Sequence, residues 1–214
     1  MEMKKEIAKD LLHIGAVKIS PDQPFTWSSG IKSPIYCDNR LTMSYPEIRK
    51  KIAKSFSQMV DELERSPDVI AGCATAGIPH AAWLADLLGL PMVYVRSKPK
   101  GHGKGNQIEG KIEKGQRVIV IEDLISTGGS ALKAIQALQE AGAEVDAVFA
   151  IFTYGISGAD KAFTQQGIKL STISDFDSLV NSLEEVEGYT KNDRQQLLDW
   201  RDSFSLASAP FLTV

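Results

Sequence analysis

The chain has 214 residues, of which 43% are hydrophobic and 24% charged, and this suits one domain with a full apolar core. These proportions exclude a mainly disordered, collagen-like or coiled-coil chain. The net charge of −3 offers no bulk positive field for nucleic acid or an anionic membrane, so we expect neither as a partner.

The N-terminal third of the chain predicts two helices with a hairpin between them. Apolar residues keep a helical period over residues 4–14 and again over 46–64, where Pro46 lies near the first turn. Between them, residues 25–37 place aromatic side chains around a Ser-Ser-Gly turn, which predicts a β-hairpin.

From residue 68 onwards, short apolar runs alternate with amphipathic segments. We predict strands at 68–71, 92–95, 118–121, 145–152 and 169–172, and helices at 78–88, 129–141, 157–165 and 189–200. Because the strands lack regular polar alternation, they predict an α/β fold whose central, mostly parallel sheet is flanked by helices on both faces. Ligands of such sheets bind beyond the carboxyl ends of the strands, so we expect function in the loops after residues 71, 95 and 121.

Cysteine usage and apolar run lengths predict a cytoplasmic protein. Cys37 and Cys73 are too few and too far apart for a zinc cluster or a disulfide scaffold, so we expect reduced thiols. Charges interrupt the N-terminal segment, unlike a signal peptide. The longest later apolar run, residues 147–152, is far shorter than the ~20 residues of a membrane span.

The stretch VIVIEDLISTGGS, residues 118–130, carries the strongest chemical signal. Glu122 and Asp123 follow a buried strand, and a turn of hydroxyl residues and glycines then opens a helix. Such a turn binds phosphate through free N–H groups, hydroxyls and the helix dipole. The two acids would repel phosphate, so we expect them to hold sugar hydroxyls or a divalent cation. The alternative is an ordinary capped βα turn beside a solvated acidic pair.

This stretch resembles the phosphoribosyl diphosphate (PRPP) signature of the type I phosphoribosyltransferases. The resemblance implies that the acids bind the ribose hydroxyls and the turn binds the 5′-phosphate. The PRPP-binding positions it implies here are Glu122, Asp123, Leu124, Ile125, Ser126, Thr127, Gly128, Gly129 and Ser130. It also implies the type I phosphoribosyltransferase fold, with a single domain over 1–214, a small N-terminal hood in 1–40 and the α/β core in 45–172.

Two other loops resemble parts of the orotate phosphoribosyltransferases, a branch of that family. Arg96, Lys100 and His102 have the spacing of the family's flexible catalytic loop, which implies that they bind PRPP; a solvated surface loop is the alternative. Arginine and lysine can neutralise the departing pyrophosphate, and histidine can hydrogen-bond or protonate it. The loop at 72–79 lacks the lysine and hydroxyl of a nucleotide-binding P-loop, since Ile78 and Pro79 stand there. In the family this loop contacts pyrophosphate through its backbone, although an ordinary turn would look similar.

The hood stretch FTWSSGIKSPIYCD completes the resemblance, and all four motifs come in the family's order. The resemblance implies that Ser28, Tyr36 and Ser126 contact orotate. One bacterial branch carries lysines at the positions of Ser28, Ala76 and Ser97, and an arginine near Tyr154. Here Tyr154 is expected in the core, and the possible replacement cations are Lys32, Lys98 and Lys104.

The resemblance implies reversible transfer of phosphoribosyl from PRPP to N1 of orotate, giving orotidine 5′-monophosphate and pyrophosphate, in de novo pyrimidine synthesis. Lys100 and Asp123 would be the catalytic residues. Mg²⁺ would be the cofactor, carried by PRPP rather than held by protein side chains alone. The family also implies a homodimer with shared active sites. Two alternatives remain, a purine phosphoribosyltransferase and a PRPP-binding regulator without catalysis.

Overall fold

The structure is a computed structural model that describes residues 2–27, 30–98, 107–156, 158–186 and 188–206. In chain order its first elements are α1 (Glu2–His13), β1 (Val17–Ile19), β2 (Phe25–Thr26), β3 (Lys32–Ser33), β4 (Ile35–Cys37), a 3₁₀ helix (Asn39–Ser44) and α2 (Pro46–Asp61). The α/β elements then follow as β5 (Val69–Cys73), α3 (Gly77–Leu88), β6 (Met92–Val95), β7 (Ile108–Glu109), β8 (Arg117–Ile125), α4 (Gly129–Glu140), β9 (Glu144–Thr153), α5 (Ala159–Gln165) and β10 (Lys169–Asp175). The last elements are α6 (Phe176–Ser182), a 3₁₀ turn (Leu183–Glu185) and α7 (Lys191–Leu206).

A six-stranded sheet of order β10-β9-β8-β5-β6-β7 forms the centre of the molecule. All neighbouring pairs are parallel except β6–β7, which adds a short antiparallel edge strand. The α/β prediction with a mostly parallel central sheet is therefore confirmed.

Both faces of the sheet are covered, as the unbroken apolar strands predict. Along β8, Ile119 and Ile121 join one apolar cluster, with Phe56 of α2 and Leu84 of α3. Val118 and Val120 point to the opposite face and join a second cluster with α4 and α5. This alternation along one strand places helices on both sides of the sheet.

The N-terminal hairpin prediction is only partly right. Strands β2 and β3 form the expected antiparallel hairpin, but β4 pairs with β1 in a separate two-stranded ladder. Pro34 stands between β3 and β4, and because proline has no N–H to donate, it interrupts the ladder.

Strand β8 is longer than predicted, and this changes the setting of the acidic pair. Its parallel ladder with β9 continues as far as Ile125–Thr153. Glu122 and Asp123 therefore lie within the C-terminal part of the strand rather than in the loop after it. The sequence-based prediction also missed α6, β7 and the Asn39–Ser44 helix. Among the helices of the described ranges, none is long and apolar enough to cross a membrane.

Candidate active site

The acidic pair lies at the carboxyl end of β8, and its two members have different surroundings. Glu122 is 5% exposed; its carboxylate accepts hydrogen bonds from the Ser130 hydroxyl at 2.9 Å and from the Asp123 backbone N–H at 3.0 Å. Burial, followed by the charge of Asp123, raises the pKa of Glu122 to about 8. Burial also raises the pKa of Asp123. Since both carboxylates are poorly solvated, a cation or sugar hydroxyls placed beside them would stabilise their charged forms.

The turn after the acids is built for close approach. Gly128 has φ 81°, a left-handed conformation that favours glycine, and a Cβ there would lie 2.9 Å from the ring of Phe163. Helix α4 begins at the next residue, so its first N–H groups and the hydroxyls of Ser126, Thr127 and Ser130 surround the same turn. This is the arrangement of a phosphate site at a helix N-terminus.

A cavity of about 850 Å³ opens beside the acids. Its wall contains six of the nine residues of the signature, namely Glu122, Asp123, Leu124, Ser126, Thr127 and Ser130. The first loop contributes Ala74, Thr75 and Ala76, and the N-terminal ladders contribute Thr26, Trp27, Ile31, Tyr36 and Cys37. The volume is in the range of small-molecule sites. Three motifs that are distant in sequence therefore meet at one cavity.

Three residues of the signature contribute differently. Ile125 is 1% exposed and belongs to the core, so its side chain does not face the cavity. Gly128 and Gly129 offer only backbone to a ligand. Six of the nine signature positions therefore line the cavity, and the binding of PRPP by all nine stays a prediction.

Tyr36 and Ser126, two of the three predicted orotate contacts, line the same cavity. Tyr154 lies in the core as expected, at 2% exposure, although it also reaches the cavity wall. Its hydroxyl accepts a hydrogen bond from the Cys37 backbone N–H at 3.0 Å, and its ring lies 4.5 Å from that of Trp27. Burial raises the pKa of Tyr154, so the phenol stays neutral and serves as a wall.

Arg96, the residue after β6, lines a small cleft of about 50 Å³ beside the main cavity. Ala74 and Ser130 belong to both walls, so the two spaces adjoin. The cleft also holds Lys133, which the sequence analysis missed. Its position, three residues after Ser130, is one helical turn along α4, and that spacing could have identified it. Glu109 lies 3.6 Å from the Arg96 guanidinium.

The first loop approaches the acids closely through a glycine. A Cβ at Gly77 would overlap the backbone oxygen of Ile121, so only glycine allows α3 to begin against β8. The peptide bond between Ala74 and Thr75 is cis. This packing places the backbone of the first loop beside Glu122.

Asp38 and Arg40, which no sequence pattern indicated, also line the cavity. Asp38 caps the Asn39–Ser44 helix and binds the Arg40 guanidinium with distances of 2.6 and 2.7 Å. These hydrogen bonds lower the pKa of Asp38. The pair adds one positive and one negative charge to the wall and so leaves its net charge unchanged.

Three predicted site residues, Lys100, His102 and Ser28, lie outside the described residues. In the part of the chain that the structure does describe, no group of three or more His, Cys, Asp or Glu side chains could hold a metal ion. Glu122 and Asp123 nonetheless suit Mg²⁺, which binds one or two carboxylates together with substrate phosphates and water.

Comparison with known proteins agrees with this geometry. The phosphoribosyl transferase domain family matches residues 44–172. The chain is 60% identical to the orotate phosphoribosyltransferase of Oceanobacillus iheyensis over 201 residues, covering 94% of this chain and 100% of the relative. It is 56% identical to that of Listeria monocytogenes, covering 94% and 96%.

Solved structures give the same result. The orotate phosphoribosyltransferase from Aeropyrum pernix superposes with a TM-score of 0.74 at 31% identity, covering 84% of this chain and 98% of that one. The Mycobacterium tuberculosis enzyme in complex with PRPP superposes with a TM-score of 0.65 at 26% identity, covering 83% and 98%. Cavity, signature and relatives agree, and the chain belongs to the orotate phosphoribosyltransferase family.

Proposed function

We propose that the chain transfers the phosphoribosyl group from PRPP to N1 of orotate, forming orotidine 5′-monophosphate and pyrophosphate in pyrimidine biosynthesis. One observation carries the proposal. The cavity of about 850 Å³ is lined by a hydroxyl-rich turn and two acids, and by an aromatic wall from the N-terminal ladders. The turn and the acids suit a sugar phosphate, and the aromatic wall suits a planar ring.

Each part of PRPP has a matching part of the cavity. The turn at 126–130 would bind the 5′-phosphate, and the carboxylates of Glu122 and Asp123 would bind the ribose hydroxyls. The first loop and the adjoining cleft with Arg96 would receive the pyrophosphate. The orotate ring would then lie against Trp27, Tyr36 and Ser126.

The reaction requires electrostatic stabilisation from the protein and no protein nucleophile. As the bond between C1 and pyrophosphate breaks, positive charge develops on the ribose and negative charge on the leaving group. The Asp123 carboxylate stabilises the positive charge on the ribose. Arg96 and Lys100 stabilise the negative charge on the leaving pyrophosphate. His102 would hydrogen-bond the leaving pyrophosphate.

Mg²⁺ is the cofactor that this site fits, and the carboxylates of Glu122 and Asp123 would hold it together with the bound substrate. When bound, it would supply positive charge to the pyrophosphate oxygens. That PRPP carries the Mg²⁺ ion, rather than protein side chains alone holding it, stays a prediction from the sequence.

We further propose a homodimer with shared sites, in which residues 1–40 act as a hood over the core. Large apolar side chains are exposed next to the cavity: Leu41 and Met43 follow Arg40, and Tyr45 follows them. The Arg49 guanidinium donates to the Met43 carbonyl and lies over the Trp83 ring at 5.1 Å, which joins this segment to α3. An exposed apolar surface of this kind favours association with a second copy.

The cytoplasmic location also stays a prediction.

A panel of acceptors tests the proposed reaction. PRPP and Mg²⁺ are supplied with orotate, uracil, adenine, hypoxanthine or xanthine, and pyrophosphate release is measured. We expect turnover with orotate and at most trace turnover with the others. Turnover of hypoxanthine at the orotate rate would instead support a purine phosphoribosyltransferase, and PRPP binding without turnover of any base would support a regulator.

A further inference from the structure

Asn39 is a buried polar residue between two residues of the cavity wall. Asp38 and Arg40 line the cavity, whereas Asn39 is 0% exposed and points away from it into the protein. Its side-chain amide donates a hydrogen bond of 2.6 Å to the backbone carbonyl of Asp123. The contact joins the segment after β4 to the strand that carries the acids, across 84 positions of sequence.

The orientation of the Asn39 amide is set by its neighbours. A carbonyl oxygen can only accept, so the nitrogen of the amide must face Asp123. The amide oxygen accepts a hydrogen bond from the Cys37 thiol at 3.2 Å. The Asn39 backbone carbonyl accepts from the Thr42 hydroxyl at 2.6 Å, and that hydroxyl lies 3.4 Å from Nε2 of the buried His80. The side chain is thus held in one geometry.

The Asp123 carbonyl that Asn39 binds lies just beyond the part of β8 that pairs with β5. Strand β5 pairs with β8 only as far as Gly72–Ile121, two residues before Asp123. Beyond that point Asn39 supplies a donor to β8 from outside the sheet. Fixing the peptide plane after Asp123 restricts the directions that the Asp123 side chain can take.

We propose that Asn39 is a positioning residue for PRPP, which holds the Asp123 peptide so that the Asp123 carboxylate faces the ribose. The inference rests on the proposed function, because it assigns that carboxylate to the ribose of PRPP. Asn39 does not touch substrate; it acts through Asp123. A displacement of about 1 Å in such a group can cost on the order of 100-fold in rate.

Three variants separate positioning from a merely structural role. Asn39→Ala removes the donor. Asn39→Asp keeps the shape but sets an oxygen against the Asp123 carbonyl. The control is Thr42→Val, which removes a buried hydroxyl from the same network while leaving the Asn39 amide in place. For each protein, kcat, the KM for PRPP, the KM for orotate and Tm are measured.

We expect Asn39→Ala to lower kcat/KM for PRPP by about 10- to 100-fold and to affect the KM for PRPP more than that for orotate. Thr42→Val should lower Tm yet keep kcat/KM for PRPP within about three-fold of wild type, because the hydrogen bond from the Asn39 amide to the Asp123 carbonyl does not involve Thr42. Equal losses of kcat/KM in the Asn39→Ala and Thr42→Val variants would overturn the proposal, as would wild-type kinetics in Asn39→Ala.

The Asn39→Asp variant keeps the test decisive if Asn39→Ala fails to fold. A protonated carboxyl can donate to the Asp123 carbonyl, and burial raises the pKa of a carboxyl. The activity of this variant, divided by that of wild type at the same pH, should therefore rise as pH falls from 8 to 6. A flat ratio would contradict the proposal. PRPP binding by calorimetry on the same proteins tests Asn39 even if wild type fails to use orotate, a failure that would count against the proposed reaction instead.

Discussion

Glu122 and Asp123 are adjacent in sequence but differ in what holds them. The Glu122 carboxylate is tied to Ser130 and to the Asp123 backbone N–H, so it organises the turn that begins α4. Asp123 is held through its backbone carbonyl by Asn39, while its carboxylate lines the cavity. One strand end therefore presents an acid that holds the turn at the start of α4 and an acid that lines the cavity.

Replacing Asp123 tests its charge. We expect Asp123→Asn to keep the fold, because the amide has the same shape, and to lower turnover by a factor on the order of 10²–10³ through loss of charge opposite the developing cation. The measurement is kcat with orotate, beside circular dichroism. Asp86→Asn, on the exposed face of α3, is the control and should behave as wild type. Near-normal turnover in a folded Asp123→Asn protein would remove Asp123 from the mechanism.

Glu122 makes the stability of the free enzyme depend on pH. Its pKa is raised from 4.5 to about 8, so between these values the folded state binds more protons than the unfolded state. The free energy of unfolding should then fall as pH rises from 6.5 to 8, and Asp123, whose pKa burial also raises, acts in the same direction. His80, whose pKa burial lowers from 6.5 to about 4, acts in the opposite direction but below that window.

The check is urea unfolding of the ligand-free protein at pH 6.5 and pH 8. Glu122→Gln cannot ionise, so its free energy of unfolding should change less between the two pH values than that of wild type. The Asp86→Asn variant again serves as control and should keep the wild-type slope. An unchanged slope in Glu122→Gln would show that the pH dependence does not come from Glu122.

At the scale of elements, local patterns predicted most of the sheet and its helices. Runs such as Val118–Ile121 are buried on both faces, so their composition alone indicates a central strand. The extension of β8 to Ile125 was not predictable from its own residues, because it depends on pairing with β9. The start of α6 could have been predicted from the sequence, because Asp175 is a typical N-cap residue and accepts a hydrogen bond from the Ser178 N–H.

The part of the site that the sequence did not reveal comes from contacts between distant segments. The hydroxyl turn and the acids form a local pattern, and they line the cavity largely where they were expected. Asn39 and Arg40 carry no such pattern. Their positions depend on how the segment after β4 packs against β8, which no local spacing encodes.

The C-terminal helix supports the aromatic wall of the cavity. The Trp200 indole N–H donates to the Lys32 carbonyl of β3 at 3.0 Å, and its ring lies 5.7 Å from Trp27 and 6.3 Å from Tyr154. Helix α7 therefore contacts both the hairpin and the strand end behind it. This links the end of the chain to the side of the cavity proposed for orotate.

We expect Trp200→Ala to lower the free energy of unfolding by about 2 kcal/mol, through lost packing of a large aromatic side chain. Because Trp27 loses its neighbour, the KM for orotate should rise more than the KM for PRPP. Urea unfolding and steady-state kinetics measure the two effects. Gln195→Ala, at a more exposed position of the same helix, is the control. A larger rise in the KM for PRPP than for orotate would contradict the assignment of this wall.

A dimer with shared active sites should recover activity when two different inactive variants are mixed, which a site formed within one chain could not do. If Lys100 completes the partner's site while Asp123 serves its own, Lys100→Ala and Asp123→Asn are each nearly inactive as homodimers. Mixed dimers would contain one doubly altered site and one intact site. Random reassortment after joint unfolding and refolding gives about half mixed dimers, and so about a quarter of wild-type activity.

The readout is orotate consumption, with heterodimer content confirmed by mass. Each variant refolded alone is the control for activity recovered by refolding itself. No rise above the separate variants, in a sample that contains heterodimer, would place Lys100 in the site of its own chain.

We propose that one cavity holds both substrates, with the phosphate at the hydroxyl turn and the base at the aromatic wall. A crystal structure of the enzyme with orotidine 5′-monophosphate tests it most directly. We predict the 5′-phosphate at residues 126–130, the ribose hydroxyls at Asp123 and the pyrimidine ring beside Trp27 and Tyr36. A nucleotide bound with its ring away from that wall, or with its phosphate away from the turn, would contradict the account.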